Sequence, residues 1–148
     1  MKPVLVPTTL AVVLTSALLG LSRPAPAHEC TISDAAGRYG HTSTGTIVNP
    51  ALGPFTAVGH ATFTESGTLS GAQTTSITGN LVEETFQGTF TVNPDCTGSA
   101  TVHVYHGATL ARTSIINLVW DDHEKEARAI FLTAGTNISI QARKMIDD

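Results

Sequence analysis

The histidines carry most of the chemistry this chain can offer. There are 6 of them, at positions 28, 41, 60, 103, 106 and 123. In the run His103-Val104-Tyr105-His106 a strand turns His103 and Tyr105 to one face and His106 to the other. No two histidines there share the i, i+2 spacing that would let a strand hold a metal pair. Parity places His106 with Val102 and Val104, and Asn117 with Ile115 and Val119. A polar side chain among aliphatic neighbours is a handle for a small ligand, because an apolar pocket needs only a few well-placed polar groups. His106 and Asn117 are the predicted handles. Phe63, Phe86 and Phe90 are the predicted aromatic lining. Gly59 and Gly88 fall on the apolar faces of the same runs, where an inward glycine would leave room.

Catalysis without a cofactor would draw on Glu126, Asn117, Tyr105 and His106 to steer charge on a substrate held in a rigid apolar mould. The sequence disfavours it. Glu126 adjoins the charged turn Asp121-Asp122-His123-Glu124-Lys125 and is expected in water. No Gly-x-Ser-x-Gly, His-Glu-x-x-His or paired-carboxylate motif is present. No catalytic residue and no cofactor are assigned. Copper is the one metal to weigh. Cleavage after Ala27 would make His28 the first residue. Its amino group and imidazole, with a second histidine from 41, 60, 103 or 106, would suit Cu(II). A histidine two residues from a disulfide is more often a plain surface residue.

The elements that must position these groups begin after a leader. Lys2 supplies a positive start, an apolar run follows from Val4 to Leu21, and Ala25-Pro26-Ala27 is a small-x-small cleavage pattern. The division predicted is a signal peptide over 1–27 and a single domain over 28–148, in a protein secreted to the periplasm or the extracellular space. Cys30 and Cys96, the 2 cysteines, are then expected to form a disulfide in an oxidising compartment.

The formal net charge is −4, and the leader removes Lys2 and Arg23 but no acid. The remaining cations, Arg38, Arg112, Lys125, Arg128, Arg143 and Lys144, are scattered. Nucleic acid and anionic membrane both need clustered cations. Neither is an expected partner, and after leader removal no membrane association is expected.

Beyond the leader the apolar pattern has a period of two. Phe55-Ala57-Gly59-Ala61-Phe63 alternates with Thr56-Val58-His60-Thr62, and Phe86-Gly88-Phe90-Val92 alternates with Thr85-Gln87-Thr89-Thr91. Each run therefore reads as a strand with one buried and one wet face. Turn signals at Asn49-Pro50 to Gly53-Pro54, Glu65-Ser66-Gly67, Gly79-Asn80, Pro94-Asp95 to Gly98, residues 121–125 and Gly135-Thr136-Asn137 divide the chain. They leave about eight strands near 39–48, 55–64, 69–78, 81–92, 99–106, 110–120, 126–134 and 137–145. Short connections favour an antiparallel meander, and a meander of this length closes into an up-and-down barrel. A two-sheet β-sandwich is the alternative. The stretch Thr113 to Trp120 is apolar on both faces. Something is expected to cover its outside, either the N-terminal segment or a second copy in a homodimer.

Cys30, Gly37-Arg38-Tyr39-Gly40, Gly53-Pro54-Phe55-Thr56-Ala57-Val58-Gly59, the stretch from Gly88 through Asn93-Pro94-Asp95-Cys96-Thr97-Gly98, Lys125-Glu126 and Gly135-Thr136 together form a pattern. It resembles a group of small secreted bacterial proteins with a calycin-like barrel, similar to lipocalins and to allene oxide cyclase. The shared residues are turn and packing residues, so the resemblance implies fold and disulfide and carries no chemistry. The histidines at 41, 60, 103 and 106 depart from the group's pattern. The function expected from all of this is non-catalytic binding of a small, largely apolar molecule. The alternatives are a cofactor-free cyclase or isomerase like allene oxide cyclase, and a structural or partner-binding envelope protein with a solid barrel.

Overall fold

The computed structural model describes residues 28–121 and 123–146. The predicted leader, 1–27, lies outside the described residues. A single turn of helix, α1 (Ile32–Ala35), precedes eight strands: β1 (Gly37–Ile47), β2 (Gly53–Phe63), β3 (Thr68–Ile77), β4 (Asn80–Val92), β5 (Thr97–His106), β6 (Thr109–Asp121), β7 (Glu126–Phe131) and β8 (Thr136–Lys144). Each strand pairs antiparallel with the next, and β8 returns to β1, so the sheet is a closed up-and-down barrel. The barrel is the outcome expected from the alternation, and a two-sheet sandwich is excluded.

The period-two pattern decides which side chains enter. On β2, Phe55, Ala57, Ala61 and Phe63 are buried while the threonines between them face water. On β6 the inward set is Ser114, Ile116, Leu118 and Trp120. β6 is apolar on both faces as read, but the described N-terminal segment is not the cover expected for its outside. Ile115 and Val119 are half exposed, at 51% and 49%, and α1 does not cover them. With Ile130 and Leu132 of the neighbouring strand and its turn they form an exposed outer strip. When both alternate sets are apolar, the pattern cannot say which one faces in; closure of the sheet decides.

The lower end, where β1 begins, is plugged. Tyr39, Phe63, Phe90 and Trp120 stack across it, with Phe63 to Phe90 at 4.9 Å and Tyr39 to Phe63 at 5.3 Å, both edge to face. Edge-to-face contacts set the positive ring edge against the negative face. Ile32 of α1 packs beneath them. Thr31 caps this short helix through the Asp34 amide. The buried Tyr39 hydroxyl lies 3.0 Å from the Ala35 carbonyl and 2.5 Å from that of Glu124, tying α1 and the β6–β7 turn to the barrel.

Cys30 and Cys96 form the expected disulfide, with a Cα–Cα distance of 5.0 Å. It joins the segment before α1 to the β4–β5 turn. That turn is built for the purpose. Asp95 Oδ1 accepts from the Thr97 amide and hydroxyl, and Cys96 takes a left-handed φ of 65°. On the chain-entropy view, closing the 66-residue separation stabilises the fold by about 4 kcal/mol. Reduction is expected to lower Tm by roughly 10 °C or more. Calorimetry with and without reductant measures it, and an unchanged Tm would show that the strap is incidental to stability.

Candidate functional site

Above the aromatic plug the barrel is filled only in part, by a second buried cluster of Phe55, Ala57 and Ile138. A cavity of about 80 Å³ lies at mid-height. Ala61, Ala100, Ala127, Ala129 and Ala142 all point to it, where longer side chains would occupy the space. Phe63, Leu69, Phe86 and Phe131 are among its larger walls, and His41, Ser43, Gln73 and Ser114 are its polar members.

Of the predicted lining, Phe63 and Phe86 border the cavity, whereas Phe90 belongs to the plug below. Asn117 is a correction. It lies on the outer surface with Ile115 and Val119, because Ile116 and Leu118 take the inward positions. His106 has the predicted parity but sits at the end of β5, so its imidazole reaches the upper rim and not the cavity. Tyr105 and Glu126 do not line the cavity.

Gly59 and Gly88 do not make room. A Cβ on Gly59 would meet the Ala72 carbonyl and stand 2.7 Å from Gln73 Cα, and one on Gly88 would meet the Thr101 carbonyl. Both mark close strand approaches where the sheet coils. The alanines make the space.

The polar group that the sequence reading missed is centred on Glu84, which is only 3% exposed. Arg112 grips both carboxylate oxygens, Nη1 to Oε1 at 2.5 Å and Nη2 to Oε2 at 2.8 Å. His106 Nε2 is 2.9 Å from Oε1, and Gln73 Nε2 and Thr75 Oγ1 each donate to Oε2 at 2.8 Å. Burial pushes the Glu84 carboxyl up. The hydrogen bonds from Arg112, Gln73, His106 and Thr75 outweigh it and hold the pKa down at about 2. A signal for this cluster existed in the alternation. Glu84 has the parity of Phe86 and Phe90, Arg112 that of Ser114 and Ile116, and His41 that of Tyr39 and Ser43.

Gln73 links this cluster to the cavity. Its Oε1 is 3.1 Å from Nε2 of His41. The other ring nitrogen, Nδ1, is buried without a hydrogen-bond partner among the described residues. Burial lowers the His41 pKa; the Gln73 contact opposes the fall and His60 adds to it. The ring is therefore neutral at neutral pH.

At the lower end His28 Nε2 lies 2.6 Å from Glu124 Oε1, and its ring centroid is 5.5 Å from that of His123. None of the histidines predicted as copper partners is there. His41 is inside the barrel and His106 is at the opposite rim. The cluster His28, Cys30 and Glu124 has the proximity of a metal site, but Cys30 is committed to the disulfide. No family model, curated protein or solved structure matches this chain.

Because the folded pKa of Glu84 is depressed, its contribution is present above the unfolded value, near 4.5, and is lost as pH falls through that value toward about 2. The shift corresponds to about 3 kcal/mol. Urea midpoints between pH 7 and pH 2 are expected to fall over this window in the native protein. Glu84→Gln is expected to be destabilised at pH 7 and to lack that segment of the curve.

Proposed function

We propose that this chain is an exported, non-catalytic barrel that holds one small, largely apolar molecule. The cavity among the five alanines is the observation that carries the reading. Evolution of a solid barrel would be expected to fill such a space, because a void in a core costs roughly 20 cal/mol for each Å² of its surface. The Cys30–Cys96 disulfide fits an extracellular or periplasmic protein, in keeping with the predicted 1–27 leader. The calycin-like resemblance agrees with a barrel that encloses a ligand.

Size restricts the ligand. A cavity of about 80 Å³ is smaller than the engineered cavity of about 150 Å³ that admits benzene. The occupant is therefore compact, with about three non-hydrogen atoms at a liquid-like share of volume. A long acyl chain does not fit this description.

The cyclase or isomerase alternative would be favoured by a charged group facing the cavity. Glu84, Arg112 and His106 are not in its lining. Glu84 already accepts hydrogen bonds from Arg112, Gln73, Thr75 and His106, so its lone pairs are occupied and it is a poor base. The unfilled interior also weighs against a purely structural barrel.

Xenon is a probe of suitable size and polarity for such a cavity. NMR titration is expected to move the methyl signals of Ala100, Ala127 and Ala129 and to leave exposed methyls unmoved. Ala129→Leu is expected to cost about 1–3 kcal/mol through overpacking and to abolish the response. A native protein whose methyl spectrum ignores xenon would contradict the binding reading.

A further inference from the structure

We propose that His28, His123 and Glu124 form a site for one Zn²⁺ at the lower end of the barrel, where the ion staples the segment before α1 to the β6–β7 turn. The site stands apart from the cavity and does not depend on the binding reading above.

The backbone on both sides is held in place. In the β6–β7 turn, His123 and Glu124 take left-handed φ values of 55° and 59°. Two such residues in succession, one of them a glutamate, persist only where the surroundings impose the conformation. The Tyr39 hydroxyl donates to the Glu124 carbonyl, and the Lys144 amide donates to that of Lys125 at 2.7 Å. The Glu124 side chain is thereby turned inward, only 2% exposed, while His123 beside it stays in solvent. On the facing side, His28 lies two residues before Cys30. The disulfide to Cys96 and the Cys30 amide, which donates to the Pro94 carbonyl at 3.2 Å, anchor that segment.

Glu84, the other buried glutamate, is supplied by Arg112, Gln73, Thr75 and His106. Glu124 has one side-chain partner among the described residues, the half-exposed His28 ring, with Nε2 2.6 Å from Oε1. A buried carboxylate needs more than one imidazole to offset its lost hydration, and a divalent cation supplies it. A nitrogen of His28, Sγ of Cys30 and an oxygen of Glu124 lie within 4.8 Å of one another. A disulfide sulfur carries no thiolate, so Cys30 is not the third ligand. His123 is. Two imidazoles on one tetrahedral Zn²⁺, with Zn–N of about 2.0–2.1 Å, hold their ring centres about 5 Å apart. Those of His28 and His123 are 5.5 Å apart. Rotation about Cβ–Cγ turns the exposed His123 ring with little movement of its centre and brings a nitrogen to face the pair. The ion takes the place of the proton shared by His28 and Glu124, which leaves to solvent, and their separation widens to about 3.3 Å. Water completes the tetrahedron.

Titration of the native, disulfide-bonded protein with Zn²⁺ is expected to show one ion bound per chain and a Tm that rises with free Zn²⁺. In NMR spectra the imidazole signals of His28 and His123 are expected to move together, and those of His60 and His103 to stay. His123→Gly removes one ligand and suits the left-handed φ, so it is expected to fold with a Tm no lower than native in the absence of metal. It is expected to bind Zn²⁺ about tenfold more weakly or worse. Glu124→Gln, which keeps shape and removes the anionic ligand, is expected to weaken binding to a similar degree. The NMR readout on native protein keeps the test decisive if that buried variant does not fold. Failure of the disulfide-bonded protein to take up Zn²⁺ would overturn the proposal. So would movement of other histidine signals in place of these two, or an unchanged affinity in His123→Gly. Binding that appears only after reduction would assign the metal to the Cys30 thiolate and would equally overturn the site drawn here.

Discussion

Pairing of β1 with β8, from Tyr39 opposite Lys144 to Ile47 opposite Thr136, is the constraint on which the interior depends. With that seam closed, every strand has two hydrogen-bonded neighbours and the sheet has no edge. Closure converts a repeated alternation into an inside and an outside. It also limits how the inside can be occupied, because the inward side chains of all eight strands must share one narrow space. At the lower end they do so by stacking four aromatic rings. At mid-height they are too small to meet, and the cavity is the result.

The buried charge near the upper rim is the second organising feature. Removing a carboxylate from water is costly unless it is paired and hydrogen-bonded. Glu84 meets that requirement with a bidentate guanidinium and three further donors. The arrangement draws β3, β4, β5 and β6 together at one corner, since Gln73 and Thr75, Glu84, His106 and Arg112 come from those four strands. It stabilises the rim and imposes a direction on the hydrogen bonds that lead to His41. The two ends of the barrel are thus held differently, one by aromatic packing, a helix and a disulfide, the other by an ion pair and the buried cluster of Phe55, Ala57 and Ile138.

Much of this was legible in the residues. The eight runs and their turns set the strands to within a few positions, since Gly, Pro, Asn and Asp are placed where the backbone must reverse. Phe63 and Phe86 were legible as cavity residues because their threonine neighbours fix their parity. Asn117 was not, because β6 is apolar on both faces and offers no contrast. Gly59 and Gly88 misled for a related reason: an absent side chain looks like space, yet neighbouring backbone fills it. Glu84 and Arg112 share the inward parity but are charged, and their partnership joins strands 28 residues apart.

The sequence by itself determined the strand count, the antiparallel order, the buried faces of the strands with clear contrast, and the cysteine pair. These are local matters, set by period-two patterning, turn chemistry and the presence of only 2 cysteines. Only the tertiary structure decided which face of β6 is inside, that alanines leave a cavity, and that His41 stands in its wall. Those depend on what stands across the barrel from each residue, and distance across a closed sheet is not written in the spacing along the chain.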